Sequence, residues 1–355
     1  MSFRLADGVE TPVPLIDEAI VERNIARAQA LFDARGVALR PHIKTHKLTR
    51  FARMQIAAGA KGVTCQKTSE AEVFVAAGCD DILITFDILG PAKTARLRRL
   101  ADKARLAVVA DNEVVVAGLS AAFADAARPL RVLVECDVGG ARCGVQSPQE
   151  AARLAGVIAR SAGLAFGGLM TYPPAKSHDK VEAFMRAAKP LCVASAGSCE
   201  TISSGGTPSM LTFPEGSVVT EYRPGTYIYN DRSLIARGAC ALEDCAMMVA
   251  ASVVSRPTPD RAILDAGSKA LTSDLLGMTG YGLLRDYPEA VITGLSEEHG
   301  HVDLSACARK PEIGEVVFVV PNHTCVVTNM FDEIVLHRGG AEMRKVRVDA
   351  RGKVF

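Results

Sequence analysis

Arg40-Pro41-His42-Ile43-Lys44-Thr45-His46-Lys47 sets one lysine, Lys44, directly behind an apolar run. Val37-Ala38-Leu39, continued through Pro41 to Ile43, reads as a short buried strand over 37–44, and Thr45-His46-Lys47-Leu48-Thr49 reads as a loop into a helix. Lys44 then stands where a strand ends, the edge at which parallel α/β folds do their chemistry. Desolvation and the positive neighbours Arg40, Lys47, His42 and His46 disfavour an ammonium there, so Lys44 is a candidate neutral amine able to form a Schiff base. The competing reading is a basic loop of solvated lysines.

Outward from this stretch, strand-like and helix-like segments alternate. On the amino side, Thr11-Pro12-Val13-Pro14-Leu15-Ile16 looks extended, and Asp17 can cap a helix with Ile20, Ile25, Ala28 and Leu31 at helical spacing, ending near Gly36. On the carboxyl side, strand candidates follow at 62–65, 81–85, 105–110, 131–137, 164–171, 199–205 and 217–223. Between them lie Ala- and Arg-rich stretches at 68–77, 93–103, 112–127, 147–162 and 179–195, which suit crossover helices. Eight such units predict a closed (β/α)8 TIM barrel in an α/β chain. The alternative, an open doubly wound sheet, normally carries a Gly-rich fingerprint after its first strand, and none is present.

Beyond about residue 236 the pattern becomes short β-rich runs separated by turn residues, at 247–254, 261–264, 291–295, 315–320, 325–328 and 333–337. These predict a second, mostly antiparallel β domain, which the extended N-terminal segment can join. The expected organisation is a barrel over 12–235 and a β-rich domain formed by 1–11 and 236–355.

Composition narrows the function class. With 355 residues, 48% apolar and 23% charged, the chain has ample material for a large core. Its 41 basic and 40 acidic residues give a net charge of +1, so there is no broad field to attract nucleic acid or an anionic membrane. Met1-Ser2-Phe3-Arg4-Leu5-Ala6-Asp7 has no apolar signal core and no run reaches membrane-spanning length, so a cytoplasmic protein is expected. The ten cysteines show no paired CxxC spacing, so neither a disulfide framework nor a zinc ribbon is indicated, and most read as buried apolar fillers.

In a barrel the carboxyl ends of the strands converge on one mouth. The polar residues there are Lys44, Gln66, Asp137 to Arg142, Tyr172, Ser204-Gly205-Gly206-Thr207 and Arg223-Pro224-Gly225-Thr226. The Ser204–Thr207 run offers hydroxyls and backbone N–H groups, the material of a phosphate cradle, and Gly225-Thr226 offers the same one strand later. Either glycine pair alone is more often an ordinary turn; their joint placement at the last two strands of a barrel is what favours phosphate. A Schiff-base lysine after the first strand and a phosphate grip after the seventh and eighth together suggest pyridoxal 5′-phosphate.

Four motifs carry a specific resemblance: Arg40 to Lys47, Ala141-Arg142-Cys143-Gly144-Val145, Arg223-Pro224-Gly225-Thr226-Tyr227 and Pro321-Asn322-His323-Thr324-Cys325. In matching order and nearly end to end, the chain resembles the D-threonine aldolase and D-serine dehydratase group of fold-type III pyridoxal phosphate enzymes, relatives of alanine racemase. The resemblance implies that Lys44 carries the cofactor, that Arg142 bonds its phenolate oxygen, and that Ser204, Gly205, Gly206, Thr207, Gly225 and Thr226 bind its phosphate. It aligns Arg223 with the arginine that faces the pyridine nitrogen in alanine racemase. Gln66 and Tyr172, at the same mouth, are further expected cofactor contacts.

Asn322-His323-Thr324-Cys325 reads as a β-run, in which residues two apart face the same way and an imidazole and a thiolate can grip one divalent ion. An HxC pair alone is more often structural, because two ligands make a weak site. The resemblance makes His323 and Cys325 the pair that holds a divalent metal (Mn, Mg or Zn). Members acting as aldolases can carry a histidine base just after the sixth strand, whereas this chain reads Leu169-Met170-Thr171-Tyr172-Pro173-Pro174, leaving Tyr172 as the catalytic candidate and His178 as a later one. The expected function is a metal- and pyridoxal phosphate-dependent lyase converting a D-β-hydroxy-α-amino acid to glycine and an aldehyde. Its alternatives are a D-serine or 3-hydroxy-D-aspartate dehydratase and a non-catalytic carrier of the cofactor. A homodimer is expected from the resemblance, since in related enzymes the β domain of one subunit covers the barrel of the other.

Overall fold

The computed structural model describes residues 5, 6 and 8–355. Most of the stretch read as lacking a signal core, residues 1–4 and 7, lies outside the described residues.

In chain order the first elements are β1 (Val13–Asp17), α1 (Glu18–Asp33), β2 (Ala38–Leu39), α2 (Thr49–Ala57), β3 (Val63–Cys65), α3 (Thr68–Ala76), β4 (Asp81–Asp87), α4 (Pro91–Ala101), β5 (Arg105–Ala110), α5 (Glu113–Phe123), β6 (Leu130–Glu135), α6 (Pro148–Arg160), β7 (Leu164–Met170), α7 (His178–Ala196), β8 (Thr201–Ser204) and β9 (Glu221–Tyr222). Strands β2 to β9 form one eight-stranded parallel sheet in the order β2-β9-β8-β7-β6-β5-β4-β3. Its two ends meet: Thr64 N–H donates to Pro41 O at 2.7 Å and Lys61 N–H to Leu39 O at 2.9 Å, with a parallel bridge between His42 and Thr64. The expected (β/α)8 barrel is therefore closed. Its strands read as nearly continuous apolar runs because both faces are covered, as in any parallel sheet wrapped by helices. Leu83, Val109, Leu133 and Met170, each buried, form one cluster.

Capping explains where several helices begin. The side chain of Asn112 accepts from Val115 N–H at the start of α5, and that of Ser147 from Glu150 N–H at the start of α6, where Pro148 follows as the first helical residue. In α1 the buried stripe is Val21, Ile25, Ala28 and Phe32; Ile20 and Leu31, expected on it, are only partly buried.

The chain forms two compact units: residues 27–44, 49–225 and 353–355, which hold the barrel, and residues 1–26, 45–48 and 226–352. The second unit is built on a mixed nine-stranded sheet. After β1 come β10 (Met247–Thr258), β11 (Arg261–Leu264), β12 (Leu283–Leu284), β13 (Val291–Leu295), β14 (Gly300–Asp303), β15 (Val316–Val320), β16 (Glu333–Arg338) and β17 (Ala341–Arg347). β1 lies between β10, to which it is antiparallel, and β16, to which it is parallel. Its other pairings are antiparallel, from β10 to β11 and β15 and from β16 to β17. Val13, Leu15, Ala250, Phe318 and Val335 form a buried cluster there. No helix among the described residues is long and apolar enough to cross a membrane.

Two local expectations are corrected. The strand read over 37–44 is only two residues long, Ala38–Leu39, and Lys44 sits in a 3₁₀ turn over Ile43–Thr45. Pro41, lacking an N–H, cannot extend the ladder, so the chain leaves the sheet before it reaches the lysine. The β-run read through His323 and Cys325 is a helix, Thr324–Met330, for which His323 is the residue before the first turn.

Candidate active site

Within the barrel unit, Lys44 is half-buried in the turn that follows β2. Its main-chain N–H points to His42 Nδ1 at 3.4 Å, and His42 Nε2 meets Gln66 Oε1 at 3.1 Å. Gln66, past the end of β3, is itself tied to Thr85 O at 2.9 Å. The neighbouring cations do not all surround the lysine as the sequence suggested. Arg40 Nε lies 2.8 Å from Glu221 Oε2 and its Nη1 lies 2.6 Å from Asp81 Oδ1, so its charge is spent at the opposite, amino end of the strands. Lys47, with a left-handed φ of 54°, sends its Nζ to Ala350 O at 3.3 Å.

The loops after β6, β7 and β8 converge. Asp137 accepts from Gly139 N–H (2.8 Å), Gly140 N–H (2.6 Å) and Ala141 N–H (3.0 Å), curling the chain so that Arg142 projects beyond it. The Arg142 guanidinium lies 4.9 Å from the Tyr172 ring centre and 3.6 Å from Glu135. Burial raises the Glu135 pKa, while Arg142 and then Arg223 pull it back. Gly205 and Gly206 adopt φ of 142° and 151°, backbone that favours glycine. A Cβ on Gly205 would lie 2.6 Å from Arg223 N, and one on Gly206 would meet Tyr172 Cε2 at 3.5 Å.

Arg223 is buried, its Nη1 bonded to Ser203 Oγ (2.6 Å) and its Nη2 to Thr171 O (2.8 Å). Burial, against the help of Glu221 and Glu135, lowers its pKa to about 10. His178, the second base candidate, has Nε2 3.1 Å from Ser209 O and 3.2 Å from Thr212 Oγ1, which ties it to that loop.

The sequence reading passed over Asp87 and Asp111, at the ends of β4 and β5. With Cys143 their ligand atoms all lie within 4.8 Å of one another. Burial first, then Asp111 and Glu135, push the Asp87 carboxyl up to about 7, and its buried Oδ1 has no hydrogen-bond partner.

Within the other unit, His323 and Cys325 come together at the amino end of the Thr324–Met330 helix. Cys325 Sγ lies 3.1 Å from Thr45 Oγ1 and 3.7 Å from Thr226 Oγ1, so Thr226, expected at a phosphate, has its hydroxyl beside the thiol. His323 Nδ1 lies 2.7 Å from Asp274 Oδ2. Burial opposes charge on His323, but Cys325, Asp274 and Asp231 outweigh it and raise its pKa to about 9. Asp274 and Asp231 lie 49 and 92 positions from His323 and Thr45 lies 280 from Cys325, so no local spacing signalled them.

The residues present fit the groups that the sequence suggested. A half-buried lysine, a glycine turn of fixed φ, a projecting arginine and a fully buried Thr171 whose Oγ1 has no hydrogen-bond partner suit a phosphorylated aromatic aldehyde at the barrel mouth. An imidazole braced by a carboxylate beside a thiol suits a divalent ion of intermediate softness.

Residues 16–233 match the model of the alanine racemase N-terminal domain, and residues 246–337 that of a putative serine dehydratase domain. The chain belongs to this family, whose barrel is the fold-type III, pyridoxal phosphate-dependent one. It is 37% identical to a D-threonine aldolase of Arthrobacter sp., over 97% of this chain and 93% of the relative. With a D-threo-3-hydroxyaspartate dehydratase of Delftia sp. (strain HT23) it shares 31% identity, over 91% and 93%. Among solved structures, the D-threonine aldolase of Filomicrobium marinum superimposes with a TM-score of 0.85 at 34% identity, over 98% of this chain and 97% of that one. A cysteine-to-alanine variant of D-threo-3-hydroxyaspartate dehydratase, solved in a metal-free form, gives 0.84 at 29%, over 96% and 97%.

Proposed function

We propose that this protein is a lyase that cleaves a D-β-hydroxy-α-amino acid, such as D-threonine or D-phenylserine, to glycine and an aldehyde. The observation that carries the reading is the nearly full-length 37% identity to the Arthrobacter D-threonine aldolase.

Pyridoxal 5′-phosphate held on Lys44 supplies an electron sink for the bonds at Cα, and a divalent ion (Mn, Mg or Zn) held by His323 and Cys325 supplies a Lewis acid. The chain's own residues do the rest. Arg142, steadied over the Tyr172 ring, presents a planar cation to the anionic edge of the bound aromatic group. The Ser204–Thr207 turn and Gly225-Thr226 receive phosphate, Gln66 and Arg223 complete the surround of the ring, and the exposed Tyr172 hydroxyl relays the proton of the substrate β-hydroxyl, accepting it as it gives its own to solvent. Cleavage breaks Cα–Cβ, leaves the β-oxygen as an aldehyde carbonyl and returns a proton to Cα, giving glycine. Loss of the Cα proton with departure of the β-hydroxyl instead gives a keto acid and ammonia. This second reading, a dehydratase acting on D-serine or 3-hydroxy-D-aspartate, is favoured by the thiol in the metal pair and by the 31% identity to the Delftia enzyme.

One experiment separates the readings: a panel of D-β-hydroxy amino acids is incubated with and without chelator, assaying aldehyde plus glycine against keto acid plus ammonia. Glycine and aldehyde that vanish with chelator are expected; ammonia without glycine assigns the dehydratase. Borohydride should bleach a yellow protein and label Lys44, and a labelled protein inert towards every substrate is a carrier. The organisation proposed is a cofactor-binding barrel within the expected 12–235, less the segment that holds β1 and joins the β-rich sheet, in a cytoplasmic homodimer. Sedimentation that finds an active, metal-loaded monomer, or fractionation that places the protein elsewhere, overturns those parts.

A further inference from the structure

We propose that Asp274 is the positioning residue of the metal site: its carboxylate fixes the His323 imidazole through Nδ1 and leaves Nε2 to the ion. The inference rests on the reading of His323 and Cys325 as metal ligands.

The ring offers two nitrogens on opposite sides, and which one binds an ion is set by what the other one bonds. Nδ1 is taken by Asp274 Oδ2 at 2.7 Å, so Nε2 is the atom left for Cys325 and for an ion beside it. Asp274 thereby braces a ligand rather than serving as one through that oxygen.

The loop that delivers Asp274 is tied to the histidine's own neighbour. Asn322 Nδ2 donates to Asp274 O at 3.0 Å and to Gly280 O at 2.8 Å, so residue 322 grips the main chain of the residue whose side chain grips 323. Arg232 closes the arrangement, donating to Asn322 Oδ1 (3.1 Å), Gly280 O (3.0 Å) and Thr279 O (2.8 Å). Thr272 enters the loop at φ 68°, buried, with its hydroxyl 3.2 Å from Asp274 N. Three side chains, one of them on the strained Thr272, hold the loop of a single carboxylate in place, while about two-fifths of the Asp274 side chain remains exposed. A loop fixed only for stability has no need to spend a partly exposed carboxylate on this one imidazole.

The test uses full-length, cofactor-loaded protein stripped with chelator and titrated with Co2+, following affinity by calorimetry and the thiolate-to-cobalt absorption. Wild type should bind one ion with that absorption, and His323→Ala and Cys325→Ala should each abolish it; a wild type that binds no Co2+ sinks the metal reading itself. With wild-type binding established, Asp274→Asn should bind about 10–100-fold more weakly, yet show the full thiolate absorption at saturation, and Asp274→Glu should recover part of the affinity. Unchanged affinity in Asp274→Asn overturns the proposal. So does loss of the thiolate absorption at saturation, because the carboxylate would then be holding the fold and not the imidazole.

Discussion

Arg40 Nε and Glu221 Oε2 meet at 2.8 Å with both side chains almost wholly buried. Glu221 also accepts from Ser203 Oγ at 2.6 Å, and Ser203 from Arg223 Nη1 at 2.6 Å, so a ladder of charge runs through the barrel interior. Arg40→Met should cost about 3–5 kcal/mol, because it leaves the buried Glu221 carboxylate only the more distant, half-exposed Lys61 at 3.5 Å. Urea unfolding measures this, and a loss below about 1 kcal/mol contradicts the ladder. Burial works against the Glu221 charge, but Arg40 and Ser203 hold its pKa below the usual carboxylate range. Its contribution is thus present above the unfolded glutamate pKa and is lost as pH falls through the depressed value. The variant should lose that part of the acid dependence.

Asp87 has the opposite sign. Its pKa, raised to about 7, lets the folded protein keep a proton that the unfolded chain releases near 3.9, so stability falls as pH rises between the two values. Asp87→Asn should gain about 1–2 kcal/mol over wild type near pH 8, discounted for partial exposure, and nothing near pH 3. Thermal melts across that range decide it, and a gain that does not depend on pH contradicts the assignment.

Gly205→Ala should be among the most damaging single-methyl additions, at about 2–4 kcal/mol, since its Cβ would meet Arg223 N at 2.6 Å from a backbone held at φ 142°. Gly206→Ala meets only ordinary contact, with its nearest atom at 3.5 Å, and should melt closer to wild type while holding the cofactor less well. Absorbance of bound cofactor and melting temperature, read together, separate the two.

Tyr172 divides into ring and hydroxyl. Tyr172→Phe keeps the surface on which Arg142 rests and should retain the cofactor while turnover falls by about 10²-fold or more if the hydroxyl takes the substrate proton. Tyr172→Ala should lose cofactor as well, by about 0.5–1 kcal/mol of cation–π contact. Equal turnover in wild type and Tyr172→Phe removes the hydroxyl from the chemistry.

The barrel was legible because eight apolar runs alternate with amphipathic stretches, and burial on both faces leaves few polar interruptions. The turn that holds Lys44 was not legible: the regular ladder stops at Leu39, five residues before the expected strand end at 44, and Pro41 has no N–H with which to continue it. His323-Thr324-Cys325 looked like a strand because Val326 and Val327 follow, β-branched residues that a short helix also accepts when it packs them inward; Val327 is fully buried. Asp274 left no trace in the sequence. Its partner is 49 residues away, and the reach depends on loop bonds made by Asn322 and Arg232 that no periodicity encodes.

β2 and β9 pair over two residues, Ala38 with Glu221 and Leu39 with Tyr222. β8 and β9 also pair over only two residues, so the amides of this sector should exchange with deuterium by local opening before those at the centre of β5 and β6. Main-chain bonds from Ala38 N–H to Thr220 O, Arg40 N–H to Tyr222 O and His42 N–H to Pro224 O fasten this sector, with the Arg40–Glu221 ion pair beside them. Lys44 stands five residues past Leu39, in the turn that leaves this short-paired sector of the barrel.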